Sequence, residues 1–156
     1  MLKPPGAATD TVYGRDTSVA TTVAMMVKDT EEQAQGQRIL VVDDEPNVRS
    51  AVSQMLRLSG FRVDEAECGD EALALARHAT YDLVLSDIRM PGMDGHATMR
   101  AIRAVQPQIC GLAMTGFADA SSCDTARAAG FHSLLLKPFT FQMLLEAVDA
   151  ALSSKT

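Results

Sequence analysis

Five polar side chains in the sequence each follow a short apolar segment. Asp43 and Asp44 follow the first such segment, Asp87 the third, Thr115 the fourth and Lys137 the fifth. If these positions meet, three carboxylates repel one another, so either some are protonated or a hard cation lies among them. Mg²⁺ suits such a place because it binds a few carboxylate oxygens and keeps other positions for water, a backbone carbonyl or phosphate. The composition favours attack of a carboxylate on a phosphoryl group, with cation, ammonium and hydroxyl binding the phosphoryl oxygens.

The apolar segments alternate with amphipathic ones. The first, 39–42, is a continuous apolar run, which is typical of a strand covered on both faces. Pro46 then begins a helical segment, because proline is tolerated in the first turn of a helix, and Gly60 ends it. The other predicted strands are 61–66, 83–85, 109–114 and 134–136, and the other predicted helices are 70–79, a segment carrying Met99, Ile102 and Val105, 119–129 and 139–152.

This order of elements determines where the polar residues lie. Five short buried strands that alternate with helices predict an α/β fold, with a doubly wound parallel sheet and helices on both faces. All strands of such a sheet end at the same edge, and ligands bind there. We therefore expect the three carboxylates, the hydroxyl and the ammonium to form one shallow site.

The length and composition predict one folded unit with a tail. A chain of 156 residues has room for one core of ordinary size but not for two. Residues 1–36 contain Pro4, Pro5 and Gly6 and show little periodicity. We therefore predict a disordered N-terminal tail over 1–36, followed by one domain over 37–153.

The composition also argues against several classes of protein. No apolar run approaches the roughly 20 residues of a membrane helix, and the N-terminus does not resemble a secretory signal. The three cysteines are widely spaced and lack clustered histidines, so we expect neither disulfides nor zinc, and a cytoplasmic location. The net charge of −6, without a basic stripe or any tryptophan, argues against a nucleic-acid partner.

Four motifs resemble the receiver domain of two-component response regulators, in the family's order and at its spacing. They are ILVVDDEPNVR, DLVLSDIRMPGMDG, AMTGFAD and LLLKPF. The resemblance covers 37–153. It implies a flavodoxin-like sheet of five parallel strands in the order 2-1-3-4-5 with five helices, as in the stand-alone chemotaxis receivers.

The resemblance also implies a role for each acidic residue. Asp87 would accept a phosphoryl group from a histidine kinase or a phosphotransfer protein. Asp43, Asp44 and Asp87 would hold Mg²⁺, together with the backbone carbonyl of Arg89. Such a protein receives a phosphoryl group and does not turn over an external substrate, so we do not expect an enzyme.

The remaining positions at this edge have counterparts in the family. Thr115 would hydrogen-bond a phosphoryl oxygen and Lys137 would pair with it. Pro138 resembles the family's cis-proline, and Gly116 the small residue beside the site. Because only 154–156 follow the predicted domain, we expect a stand-alone receiver, a monomer or weak homodimer. Its output would be a contact with an unidentified downstream protein.

One residue departs from the family's usual pattern, and two others bear on how long the phosphoryl group lasts. Receivers usually carry Tyr or Phe three positions before the lysine, where the ring rotates inward upon phosphorylation, but Leu134 has no ring. We therefore expect a smaller response of the fourth helix and fifth strand. Arg89 and Phe117, which flank the phosphoryl site, offer no carboxylate or amide to orient water, so we expect slow hydrolysis of the aspartyl phosphate.

Other interpretations stay open on the sequence alone. Asp44 could cap the first helix, Asp87 could lie in a turn and Lys137 could be a surface residue, while Asp94 is interpreted as part of a turn outside the site. A phosphotransferase of the haloacid dehalogenase type would need an acid where Arg89 stands. A flavin-binding module would need a first loop rich in Ser, Thr and Gly. A receiver-like scaffold that acts without phosphorylation is the third alternative.

Overall fold

The apolar segments form one parallel sheet. In the computed structural model, which describes residues 36–154, its strands lie in the order β2-β1-β3-β4-β5. This confirms the α/β class and the order 2-1-3-4-5 that the resemblance implied. The strands are β1 (Arg38–Val42), β2 (Arg62–Ala66), β3 (Leu83–Asp87), β4 (Cys110–Thr115) and β5 (Ser133–Leu136).

A helix follows each strand. None of the helices within 36–154 has the length and apolar character needed to cross a membrane. The tail predicted over 1–36 lies outside the described residues except for Gly36, so it stays a prediction. Over 36–154 the helices are α1 (Pro46–Leu58), α2 (Gly69–His78), α3 (Gly95–Val105), α4 (Ser122–Ala129) and α5 (Phe141–Ser153).

Alternate side chains of the central strands serve opposite faces of the sheet. Ile39 and Val41 lie in the core formed with α1 and α5, whereas Leu40 and Val42 lie in the core formed with α2, α3 and α4. All four are fully buried, which explains why β1 is a continuous apolar run. Burying each such side chain stabilises the fold by roughly 1.5–3 kcal/mol. The strand that delivers Asp43 is therefore among the most firmly packed elements.

The predicted start of β2 is wrong by one residue, because Phe61 belongs to the end of α1. Gly60 has a φ of +94° and donates its N–H to the carbonyl of Arg57 at 3.0 Å, while Phe61 donates to that of Leu56 at 3.2 Å. These two bonds satisfy carbonyls that the helix leaves free, and they form a Schellman motif. The Phe61 ring is buried in the same core as α1.

The predicted start of α4 at Asp119 is also wrong. Asp119 Oδ1 accepts hydrogen bonds from the backbone N–H of Ser121 at 3.0 Å and from the hydroxyls of Ser121 and Ser122 at 2.8 and 3.1 Å. A side chain bonded to the backbone ahead of it favours a turn over a helix. The same bonds hold the pKa of Asp119 below its usual range, and the helix begins at Ser122.

Helix α3 differs from its predicted form at both ends. Met99 and Ile102 are fully buried as expected, but Val105, its last residue, is 42% exposed. Asp94, interpreted as part of a turn, caps the helix, because its Oδ1 accepts the N–H of Ala97 at 2.8 Å. The other predicted boundaries lie within two residues of those observed.

At Gly95 the start of α3 packs directly against the backbone at the end of β3. Its N–H donates to the carbonyl of Ile88 at 2.8 Å. A Cβ at this position would overlap the Asp87 carbonyl oxygen and lie 2.7 Å from the Ile88 Cα. Because these are backbone atoms, they cannot move aside without moving the end of the strand that carries Asp87.

We predict that Gly95→Ala lowers the free energy of unfolding by about 2 kcal/mol or more, as measured by urea denaturation. Gly116→Ala is the matched control, because nothing lies within 4 Å of a Cβ at that position. Its effect is expected to stay within about 0.5 kcal/mol. Equal effects of the two substitutions would show that the α3–β3 approach does not constrain the fold.

Candidate functional site

The carboxyl ends of β1 and β3 bring the three predicted carboxylates together. Asp43, Asp44 and Asp87 each place one oxygen within 4.8 Å of the others. Asp43 is fully buried and Asp87 is 7% exposed, whereas Asp44 is exposed. Two of the three charges are therefore largely removed from water, and the third is open to it.

Lys137 provides the positive charge at the same edge. Its Nζ lies 3.1 Å from Asp43 Oδ2 and 3.5 Å from Asp87 Oδ1. The peptide bond between Lys137 and Pro138 is cis, as the resemblance implied, and the Lys137 N–H donates to the carbonyl of Thr115 at 2.7 Å. One ammonium thus faces three carboxylates, which leaves the cluster negative.

The pKa values of Asp87 and Lys137 both reflect this imbalance. Burial raises the pKa of Asp87 above its usual range; Lys137 opposes the rise, and Asp43 and Asp44 add to it. Burial acts to lower the pKa of Lys137, but its hydrogen bond to Asp43 and its attraction to Asp43 and Asp87 together raise it. Lys137 is therefore held in its charged form, while ionised Asp87 lacks sufficient positive charge nearby.

The orientation of Asp43 is set by contacts on several sides. Its backbone N–H donates to the carbonyl of Ala66 at 3.1 Å, and its backbone carbonyl accepts from the Arg49 guanidinium at 2.8 Å. Its Oδ1 accepts the backbone N–H of Glu45 at 2.9 Å. With Oδ2 bonded to Lys137 at 3.1 Å, both carboxylate oxygens have a fixed direction. Asp43 is therefore a preorganised part of the cluster.

Asp44 does not cap the first helix, so that alternative is wrong. The residue at the N-terminal cap of α1 is Glu45, with no side-chain hydrogen bond to the helix, and Pro46 occupies the first turn. The exposed Asp44 carboxylate instead offers an oxygen to the cluster.

Thr115 lies at the end of β4, as predicted, but its hydroxyl bonds to its own loop. Thr115 is 2% exposed. Its Oγ1 donates to the carbonyl of Phe117 at 2.8 Å and accepts the Phe117 N–H at 3.2 Å. The sequence did not indicate these two hydrogen bonds. Local bonds of this kind are open to any threonine near a loop, so no motif marks them.

A cleft of about 640 Å³ lies beside the cluster. Its lining includes Met90 after β3, Thr115 at the end of β4, Phe117 after that strand, and Thr125 on α4. Phe117 is 59% exposed, and the Arg89 guanidinium lies 5.4 Å from the centroid of its ring. The two residues that flank the predicted phosphoryl site therefore contact each other, which the sequence did not reveal.

The residues of the cluster suit a divalent cation. Their donors are carboxylate oxygens, which Mg²⁺ prefers, and their excess negative charge is the condition under which such an ion stabilises a site. Arg89 lies two residues after Asp87, in the loop that lines the cleft. The part assigned to its backbone carbonyl stays a prediction.

Curated proteins similar to this chain include transcriptional regulators. The chain is 41% identical over 115 residues to the transcriptional regulatory protein ZraR of Salmonella typhimurium, covering 74% of this chain and 26% of that protein. It is 35% identical over 113 residues to the C4-dicarboxylate transport transcriptional regulatory protein DctD of Rhizobium meliloti, covering 72% and 25%. The chain thus spans about a quarter of the length of these relatives. Because both are named as transcriptional regulators, the comparisons do not support the expectation that this protein has no nucleic-acid partner.

Solved structures and a family model agree with the fold and the motifs. The chemotaxis protein CheY4 of Vibrio cholerae superposes with a TM-score of 0.71 at 32% identity, over 74% of this chain and 98% of that one. The beryllofluoride-activated NtrC4 receiver domain dimer gives 0.72 at 27% identity, over 76% and 98%. The model of the response regulator receiver domain matches residues 39–149. The chain belongs to the family of response regulator receiver domains.

Proposed function

We propose that the protein is a phosphoacceptor in a two-component or phosphorelay system. Asp87 accepts a phosphoryl group from a histidine kinase or a phosphotransfer protein in a Mg²⁺-dependent reaction. The observation that carries this proposal is the placement of Asp87. It is 7% exposed, lies 3.5 Å from the Lys137 ammonium, and shares its edge of the sheet with Asp43 and Asp44.

The reaction is a transfer between two side chains. An oxygen of ionised Asp87 attacks phosphorus, a P–O bond forms as the P–N bond to the donor histidine breaks, and the histidine nitrogen keeps the electron pair. Lys137 pairs with a phosphoryl oxygen, and Asp43 holds Lys137 in position. Asp43, Asp44 and Asp87, with the carbonyl of Arg89, would hold Mg²⁺, which when bound neutralises charge on the carboxylates and the phosphoryl oxygens.

The product of this reaction stays on the protein. The phosphoryl group remains on Asp87 until water removes it, so the protein acts as a modified signal and not as a turnover enzyme. We propose that the output is a contact with another protein. A monomer or weak homodimer fits this proposal, since the related NtrC4 receiver domain is a dimer in its beryllofluoride-activated form.

A scaffold that acts without phosphorylation is the second candidate. Two observations favour it: Leu134 has no ring with which to respond, and the Thr115 hydroxyl is bonded to Phe117 at 2.8 Å instead of being directed to Asp87. The two functions differ in whether Asp87 can be modified at all.

We predict that acetyl phosphate and Mg²⁺ add one phosphoryl group to the protein, as measured by intact mass. Asp87→Asn removes the nucleophile and should abolish the increment. Asp70→Asn, which changes an exposed carboxylate on α2, should leave it intact, and a chelator should suppress it. An unmodified wild-type protein under these conditions, and with a phosphorylated histidine donor, would favour the scaffold.

The raised pKa of Asp87 predicts that the wild type and Asp87→Asn differ in stability by an amount that depends on pH. Burial and the neighbouring carboxylates raise this pKa, so ionised Asp87 destabilises the metal-free fold, fully so above the raised value. Asp87→Asn should therefore increase the melting temperature at neutral pH in the presence of chelator. The increase should vanish as the pH falls below the usual pKa of an aspartate, where the wild-type side chain is also neutral.

Thermal unfolding followed by circular dichroism measures this difference. Mg²⁺ should stabilise the wild type more than the variant and so reduce the gap at neutral pH. Asp70→Asn is again the control, because an exposed carboxylate outside the cluster should change stability by less than about 0.5 kcal/mol. A metal-free Asp87→Asn protein that melts below the wild type at neutral pH would contradict the assignment.

The side chains of Arg89 and Phe117 predict a long-lived phosphoryl group. Neither offers a carboxylate or an amide that could orient water for attack at Asp87. We expect a half-life of minutes or longer after acetyl phosphate is removed, measured by intact mass. Arg89→Gln supplies an amide and should shorten it severalfold, while Arg77→Gln on α2 should not. A wild-type half-life of seconds would refute this prediction.

A further inference from the structure

The Thr115 hydroxyl has one proton, and in this structure that proton is engaged. It is donated to the carbonyl of Phe117 at 2.8 Å, and the same oxygen accepts the Phe117 N–H at 3.2 Å. A hydroxyl is a single O–H donor. If Thr115 donates to a phosphoryl oxygen on Asp87, as the resemblance to receivers implies, it must release the carbonyl of Phe117.

Loss of this bond affects Gly116 and Phe117, the part of the loop that lies ahead of the turn made by Asp119. The residue between the two partners, Gly116, has no atom within 4 Å of where a Cβ would stand, so the chain has space on that side. Phe117 is 59% exposed, and its ring contacts the Arg89 guanidinium. Phe117 can therefore change position without disturbing the packed strands.

The cleft beside Phe117 provides a place for its ring. The cleft measures about 640 Å³. Phe117 already forms part of its wall, which combines polar residues such as Asp119 and Ser122 with Ile88 and Met90, the latter 8% exposed. The volume is ample for one aromatic ring, and apolar side chains such as Met90 contact aromatic rings favourably. Leu134 does not line this cleft and has no ring to place in it.

We propose that Phe117 is the aromatic element that responds to phosphorylation in this protein. When the Thr115 hydroxyl turns to the phosphoryl group, the Phe117 carbonyl is released, and the ring leaves Arg89 and enters the cleft between Met90 and α4. The inference rests on the proposed function, because it requires an acceptor at Asp87. It makes the loop after β4, and not Leu134 on β5, the part of the surface that changes.

The coupling is reciprocal. If the phosphoryl group on Asp87 favours the inserted position of the ring, then insertion of the ring must in turn favour the phosphorylated form of Asp87 to the same extent. The exposed aromatic surface and the position of the Arg89 guanidinium then differ between the two states, and a downstream protein can distinguish them at this one face.

A single tryptophan at this position can report the movement, because the natural sequence contains no tryptophan. In Phe117→Trp, beryllofluoride with Mg²⁺ serves as the phosphoryl analogue, and bound beryllofluoride is detected independently by ¹⁹F NMR. We expect the fluorescence emission to shift to shorter wavelength and acrylamide quenching to fall severalfold when the analogue binds. Leu58→Trp, at a side chain that is 66% exposed on α1, should show neither change.

A second variant tests the role of the hydroxyl. Adding Thr115→Val to Phe117→Trp removes the O–H but keeps the side-chain shape. The analogue should then bind more weakly, and at concentrations where the ¹⁹F signal shows saturation the fluorescence response should be lost. A bound signal without any change in Phe117→Trp, or an equal response at saturation in the presence of Thr115→Val, would overturn the inference. Absence of any bound signal in Phe117→Trp and in the wild type would instead overturn the proposed function, and the inference with it.

Discussion

Repulsion among three carboxylates at one edge of the sheet is the constraint on which this site depends. Asp43, Asp44 and Asp87 lie within 4.8 Å of one another, and two of them are largely removed from water. Lys137 offsets part of the repulsion through its contacts with Asp43 and Asp87, yet the pKa of Asp87 stays raised. A site with this deficit of positive charge favours a bound cation.

The fold holds this unfavourable arrangement by packing the strands that carry it. β1 and β3 are buried on both faces, and Gly95 brings α3 against the backbone of Asp87. The hydrogen bonds of Asp43 fix one wall of the site. The other wall differs, because Thr115 and Phe117 bond to each other within a loop. One side of the site is therefore rigid, and the other is held by interactions that a bound group can exchange.

Much of this was predictable from the sequence, for a physical reason. Continuous apolar runs locate buried parallel strands, and their ends locate Asp43, Asp87 and Lys137, so the site followed from the fold class. The predicted starts of β2 and α4 were wrong because short-range hydrogen bonds set these boundaries, and hydrophobic periodicity does not reveal such bonds. The cap that includes Phe61 shortened β2, and the turn made by Asp119 delayed α4. The direction of one hydroxyl and the contact between Arg89 and Phe117 depend on loop geometry, which has no period to detect.

The curated relatives ZraR and DctD extend well beyond this domain, which spans about a quarter of each. Calorimetric titration of Mg²⁺ into the protein at neutral pH tests most directly whether the carboxylate cluster holds a cation. We predict one binding site, with an affinity about tenfold or more weaker in Asp44→Asn, where the exposed carboxylate is lost without disturbing the core. A wild-type protein that binds no Mg²⁺, or an unchanged affinity in Asp44→Asn, would contradict the account.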